Sequence, residues 1–337
     1  MVKEGRADLV AFGRQSLADP AMPKKAQEER LEDMTPCIAC LQGCVANMYA
    51  GNPVCCLTNP FLGHEAEPLE KAENPKKVMV IGGGVAGLSA AFIAKERGHE
   101  VTLYEAGDVL GGNMRLAAYP PGKGDITNMI RSYIHRCQKD GVKIVMNCEV
   151  TPEIIKEEKP DSVIIATGSK TLILPIEGID NPAIIHGSDL LDGKRAAGKK
   201  VLVVGGGMVG CETAAFLGEQ EHDVTVIEFR DTVGADVIHE HRVYLMKDFE
   251  DYGIKEITGA KVCKFYEDGV EYETADGVRH ESRGYDSVIL SMGFRNYNPL
   301  EEKIKDLVPE THVIGDAIRA RRALDATKEA YEVASRI

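Results

Sequence analysis

The 337-residue chain lacks any apolar run approaching the roughly 20 residues that a membrane-spanning helix needs. Its opening stretch, MVKEGRADLV, carries no signal-peptide pattern. With no membrane segment and no secretory leader, the expectation is a cytoplasmic protein. Positive charge is also in deficit: 40 Lys and Arg stand against 53 Asp and Glu, a net charge of −13. That balance repels a polyanion and argues against general nucleic-acid binding. No Ser/His/Asp nucleophile set and no metal-type pair of histidines can be picked out, and His239 and His241 read as solvated positions. Low-complexity segments are scarce. What is left is an ordinary globular composition, 44% hydrophobic, long enough for about two domains.

Two near-copies of a glycine loop stand out within it, VMVIGGGVAGLSAA at 78–91 and VLVVGGGMVGCETA at 201–214. Each runs from an apolar strand through spaced glycines into a helix. Gly82 and Gly205 permit the tight turn, Gly84 and Gly207 let backbone approach a pyrophosphate, and Gly87 and Gly210 allow close helix packing. The helix N-terminus then faces the anion. Eighteen residues after the last glycine of each loop stands a carboxylate, Glu105 closing VTLYE and Glu228 closing VTVIE. In a Rossmann unit that place is the tip of the second strand, where an acid accepts hydrogen bonds from ribose hydroxyls. A lone glycine triplet is a weak signal, and the bland alternative is a pair of glycine-rich turns between buried strands. The matched acids argue for two dinucleotide sites.

Cysteine is the second feature. Five of the nine residues crowd into 37–56, as Cys37, Cys40, Cys44, Cys55 and Cys56, among Pro36, Gly43, Gly51, Pro53 and Pro60. Such a segment has little helical or strand periodicity, so its order requires a staple. In a reducing compartment a metal is favoured over disulfides. Three close cysteines with one outlier, Cys55 or Cys56, suit an iron–sulfur cluster better than zinc, which draws on separate pairs; free thiols are the third reading. Cys137, Cys148, Cys211 and Cys263 are scattered and read as small core residues.

These residues together resemble the rear half of the multidomain old yellow enzymes typified by 2,4-dienoyl-CoA reductase and trimethylamine dehydrogenase. The most specific stretch is TPCIACLQGC followed by VCCLTNP, and the resemblance covers essentially the whole chain. It implies an α/β protein with two Rossmann-like nucleotide-binding domains of disulfide-reductase-like architecture, one inserted in the other. A cysteine-rich iron–sulfur loop and a TIM-barrel remnant precede them. It further implies a 4Fe-4S cluster on Cys37, Cys40, Cys44 and Cys56, with Cys55 a bystander. ADLVAFGRQSLADP at 7–20 reads as a short strand, a glycine turn and a helix start, and resembles the end of the family's barrel, where a Gly-Arg pair matching Gly13 and Arg14 contacts FMN phosphate. A loop arginine is equally a surface charge, and one unit is not a barrel. FMN is therefore expected only if a barrel is supplied, in cis or in trans.

The expected organisation is a barrel remnant at 1–30, a cluster loop and linker at 31–75, an FAD domain at 76–190 and 285–337, and an NAD(P)H domain at 191–284. Two similar strand ends, DSVIIATGS at 161–169 and DSVILSMGF at 286–294, suggest the return to the first domain. Sequential domains are the alternative. By resemblance, Gly111, Gly112 and Asn113 match a Gly-Gly-Gln turn near the flavin, Arg115 lies near phosphate and the Val150 backbone meets adenine. Gly168 closes an Ala-Thr-Gly turn, and Asp316 contacts the ribityl and phosphate region. An N-cap for a helix at 317–334 is the structural alternative for Asp316. At the second site Glu228 favours NADH, since a carboxylate repels a 2′-phosphate, while Arg230 keeps NADPH open. Glu212, placed on the first helix turn, either approaches the nicotinamide or stabilises the helix dipole.

The expected activity is hydride transfer from NADH to FAD and single-electron transfer through the cluster to an FMN outside this chain. A flavin disulfide reductase would need a cysteine pair about one helix after Glu105, and 108–136 contains none. A regulatory or scaffold module that merely holds the cofactors is the non-enzymatic alternative. Terminal substrate and oligomeric state are unreadable, a homo-oligomer being open.

Overall fold

The computed structural model describes all 337 residues, which gather into two compact units. The first comprises Met1–Gly112, Asp125–Thr167 and Asn298–Ile337, and the second Asn113–Gly124 and Gly168–Tyr297.

The first unit is built on a parallel sheet ordered Glu310–Val313, Ser162–Ile165, Lys77–Ile81, Glu100–Tyr104, Lys143–Val145. The strand VMVI at 78–81 is buried at every position, as a strand covered on both faces must be. The glycine loop after it leads into the helix Val85–Glu96, whose residues Val85 to Ala94 are all buried. Phe92 and Leu88 are fully enclosed there. Each such side chain contributes about 1.5–3 kcal/mol by burial. Helix Ala323–Ala334 packs along the same helix.

The second unit repeats the plan with a parallel sheet ordered Ile184–His186, Ser287–Leu290, Lys200–Val204, Asp223–Ile227, Lys255–Ile257. A three-stranded antiparallel sheet, Lys261–Tyr266, Gly269–Glu273 and Arg279–Ser282, is inserted before its fifth and last strand in the chain. Val201, Val203, Val224, Val226 and Ile289 from the parallel sheet share a core with Leu217, Leu245 and Phe249 from the covering helices.

Strands Ile184–His186 and Ser287–Leu290 pair in this second sheet. The expected boundaries at 190 and 285 are therefore displaced to Thr167 and Asn298. The two similar strand ends do not mark a return. Ser162–Ile165 belongs to the first sheet and Ser287–Leu290 to the second, each lying beside its own glycine loop strand. The chain does return to the first sheet, through Glu310–Val313 beside Ser162–Ile165. The two connecting segments pair with each other antiparallel, Ser169–Thr171 against Phe294–Asn296.

The short strand expected near the N-terminus does not form. Residues 7–12 take no ladder partner, and Leu9 and Phe12 are exposed at 89% and 56%. Only the helix Arg14–Ala18 appears.

Candidate functional site

In both loops the first and third glycines stand where no other residue fits. Gly82 and Gly205 have φ of +110° and +106°. A Cβ on either would lie 2.3 Å from Ala166 O or 2.4 Å from Ser291 O, the carbonyls that end the two similar strands. A Cβ on Gly87 would lie 1.9 Å from Gly82 O, and one on Gly210 1.8 Å from Gly205 O. These contacts let helix and strand approach closely enough to aim the helix N-terminus out of the sheet edge. Gly84 is different: its φ is −73° and nothing lies within 4 Å of its absent side chain. The empty space is a cradle that a Cβ would fill, which suits a backbone approach to pyrophosphate.

Each strand-tip acid is fixed by its own loop. Glu105 Oε2 accepts the Gly83 N–H at 2.7 Å and Oε1 the Gly107 N–H at 2.7 Å. Glu228 accepts Gly206 N–H at 2.5 Å and Arg230 N–H at 2.9 Å. Each carboxylate keeps lone pairs free to accept from ribose hydroxyls. Around the second loop a cleft of about 940 Å³ is lined by Gly207, Met208, Glu228, Phe229, Arg230 and Asp236 among others.

The remaining expected site residues are dispersed in their local contacts. Gly112 has φ +54°, and its Cβ would lie 3.2 Å from Gly84 Cα. Asn113 donates to Ser169 Oγ at 3.3 Å. Arg115 is engaged by Asp192 at 2.6 Å, which raises the guanidinium pKa and lowers that of the carboxyl. Val150 is buried in the first core, and Gly168 has φ +74°.

Two expectations need correction. Asp316 does not cap a helix starting at 317; the helix begins at Ala323 with Arg322 and Asp325 closing its end. Asp316 instead sits in the 3₁₀ turn Gly315–Ala317 and accepts the Arg321 N–H at 3.0 Å. Glu212 is the fifth residue of the helix Met208–Glu219, past the first turn, so the dipole gives it little. It is buried and ion-paired with Lys123, which carried no sequence signal.

The cysteine loop borders a small recess, partly open to solvent, lined by Cys37, Cys40, Cys44, Cys55, Cys56 and Arg14, with several apolar neighbours. No three His, Cys, Asp or Glu side chains are drawn together as donors to a single ion. The thiols instead line one shared recess. Burial pushes the Cys40 thiol up to about 11, with Cys56, Cys44 and Cys37 adding to the shift; burial also raises Cys56. Thiolates held there need a cationic metal core to offset their charge, so the donor set fits one. Cys55 places its thiol on Gly43 O at 3.6 Å and Asn47 Nδ2 at 3.4 Å.

The loop is tied down by residues outside the cysteine pattern. Gln15 bridges Thr35 O and Cys37 N–H at 2.9 and 2.8 Å, Asn59 donates to Leu17 O at 2.9 Å, and Tyr133 donates to Leu57 O at 3.0 Å. Asp33 accepts from Lys139, His135 and Arg30, which hold its carboxyl well below the usual range. Past Glu105, the helix Asp125–Lys139 holds only Cys137, fully buried and pushed up to about 12 by that burial. It offers no thiolate for disulfide exchange.

Twin dinucleotide loops, each with its acid, define the class: a flavin- and pyridine-nucleotide-dependent oxidoreductase fold. The chain belongs to the pyridine nucleotide-disulphide oxidoreductase family, which matches residues 76–312. It is 34% identical to a cinnamate reductase of Clostridium sporogenes over 340 residues, covering 100% of this chain and 50% of that protein. It is 36% identical to an NADH oxidase of Thermoanaerobacter brockii over 346 residues, covering 100% and 53%. A solved 2-naphthoyl-CoA reductase complex superposes with a TM-score of 0.95 at 34% identity, covering 100% of this chain and 51% of that one. The chain thus spans about half the length of the relatives it matches. No helix is long and apolar enough to cross a membrane.

Proposed function

We propose that this chain is the electron-input half of an NADH-dependent flavin oxidoreductase. In this reading Gly82, Gly84, Gly87 and Glu105 hold FAD, with Gly112, Asn113, Arg115, Val150, Gly168 and Asp316 completing that site. Gly205, Gly207, Gly210, Glu212 and Glu228 hold NADH, and Cys37, Cys40, Cys44 and Cys56 a 4Fe-4S cluster. Bound FAD would supply the conversion of a two-electron hydride into single electrons, which a cluster carries one at a time. The chain's own part is binding and orientation: glycine backbone against pyrophosphate, carboxylates against ribose, and buried thiols against the metal core.

The observation that carries the reading is one chain with two glycine–carboxylate loops and a thiol-lined recess. Glu228 favours NADH over NADPH because its charge opposes a 2′-phosphate. Cys56 is favoured over Cys55 as the fourth ligand on the resemblance carried by VCCLTNP, since hydrogen bonding does not separate them: Cys56 meets Thr58 Oγ1 at 3.3 Å as Cys55 meets Gly43 O and Asn47 Nδ2. An FMN-bearing barrel would complete the relay. The names cinnamate reductase and 2-naphthoyl-CoA reductase direct the proposal to conjugated carboxylic acids or their CoA thioesters as terminal acceptors.

The test is an anaerobic NADH titration of reconstituted protein, following flavin absorbance together with iron and sulfide content. Rapid flavin reduction with about four iron and four sulfide per chain supports the relay. Flavin that stays oxidised in protein lacking a cluster refutes it and leaves a binding module.

A further inference from the structure

The two loops carry a second matched feature beyond the glycines and the acid. Glu105 is followed six and eight residues on by Gly111 and Asn113, and Glu228 by Gly234 and Asp236. The equivalence is structural as well as spatial along the chain. Gly111 N–H donates to Gly83 O at 2.8 Å, and Gly234 N–H donates to Gly206 O at 2.7 Å. At the final position the repeats diverge in charge: the first has a neutral amide, the second a carboxylate.

That carboxylate sits on the start of a twelve-residue helix. Asp236 Oδ1 accepts the Met208 N–H at 2.9 Å. Its Oδ2 lies 3.4 Å from where a Cβ on Gly207 would be. In the first loop the matching space at Gly84 has no atom within 4 Å. The Met208 N–H and the open side of Gly207 are what a dinucleotide loop presents to a pyrophosphate. A carboxylate is held there by the same helix-end field that would hold phosphate.

We propose that Asp236 is an internal anion occupying the pyrophosphate cradle of the second site, which a nicotinamide dinucleotide must displace to bind. This rests on reading the second loop as the nicotinamide site. The device suits a ligand that leaves on every turnover, whereas the first cradle, at Gly84, is open as a resident ligand would need. The carboxylate and a pyrophosphate would compete for the same Met208 N–H and repel each other, so binding breaks the Asp236–Met208 bond. Asp236 is exposed, and water compensates the released carboxylate. The penalty is therefore modest, about five- to tenfold in affinity.

The experiment is calorimetric titration of the flavin- and cluster-loaded chain with NADH, ADP-ribose and adenosine. Asp236→Asn copies the first loop, and Asp236→Ala provides a second variant should the amide perturb folding. Both variants should bind NADH and ADP-ribose about five- to tenfold more tightly than wild type. Adenosine, which has no pyrophosphate, should bind equally to all three, and NADH dissociation measured by stopped flow should slow in the variants. Unchanged or weaker ADP-ribose binding in the variants, with wild type still binding, overturns the inference and spares the site assignment. An equal gain for adenosine overturns it too. If neither wild type nor variants bind NADH or ADP-ribose, the site assignment itself falls and takes the inference with it.

Discussion

Replacing Gly210 with alanine should separate the two nucleotide sites. The added Cβ would lie 1.8 Å from Gly205 O and 3.4 Å from Ser291 Cβ. Carbon and oxygen in close C–H···O contact sit about 3.3–3.6 Å apart, so roughly 1.5 Å of relief is required. The carbonyl cannot turn away freely, because Gly205 is fixed at φ +106° and its N–H donates to Ile227 O at 2.9 Å. Helix Met208–Glu219 must therefore back out of the sheet, at an overpacking cost of about 1–3 kcal/mol. Its N-terminal N–H groups move with it, and a misplacement of about 1 Å in a positioning group can cost about 10²-fold. Urea unfolding and ADP-ribose calorimetry should show both losses while bound flavin stays stoichiometric. Gly87→Ala should do the reverse, since its Cβ would meet Gly82 O at 1.9 Å. Wild-type ADP-ribose affinity in Gly210→Ala, with stability within about 0.5 kcal/mol, would refute the packing argument.

Other changes probe the remaining parts. Cys56→Ser should lose iron on reconstitution while Cys55→Ser keeps it; the opposite pattern in metal analysis would reverse the ligand assignment. Glu228→Ala should narrow the preference for NADH over NADPH, read as the ratio of their dissociation constants, and an unchanged ratio would remove the carboxylate from cofactor choice. Asp33 is held ionised by Lys139, His135 and Arg30, so its folded pKa is depressed. Its contribution is fully present above the unfolded carboxylate value near about 4 and is lost as pH falls through the folded value. Asp33→Asn should thus lower the melting temperature by a few degrees at neutral pH, with the gap closing below about pH 4. A gap that persists in acid would show that the charge is not the cause.

How far the sequence discloses this molecule depends on the range of each determinant. The glycine loops are legible because every requirement is local: positive φ at Gly82, and a helix packed on its own loop five residues later at Gly87. The unit boundaries are not. DSVIIATGS and DSVILSMGF look alike because Ala166 O and Ser291 O do the same work in two sheets, each closing over the first glycine of its loop. Local residues state that a strand abuts a glycine turn, not which sheet it joins. Lys123 and Asp236 escape notice for the related reason that their partners, Glu212 and Met208, are far along the chain.

In the cysteine loop, what the sequence conceals is what orders the segment. A segment so poor in periodicity reads as one that only a staple could fix. Yet Gln15, Asn59, Tyr133 and the Asp33 ion cluster already anchor it to neighbouring elements. Ala39 and Leu41, on either side of Cys40, are held at φ of +52° and +56°, a conformation that costs non-glycine residues about 1–2 kcal/mol each. Strain of that kind persists only where surroundings over-determine the backbone. The anchors therefore preform the thiol-lined recess, and metal binding need not supply the whole cost of ordering the loop. What metal must still offset is electrostatic, namely the burial that lifts Cys40 to about 11. Affinity for the cluster should accordingly depend on the anchoring hydrogen bonds less steeply than on the four thiols themselves.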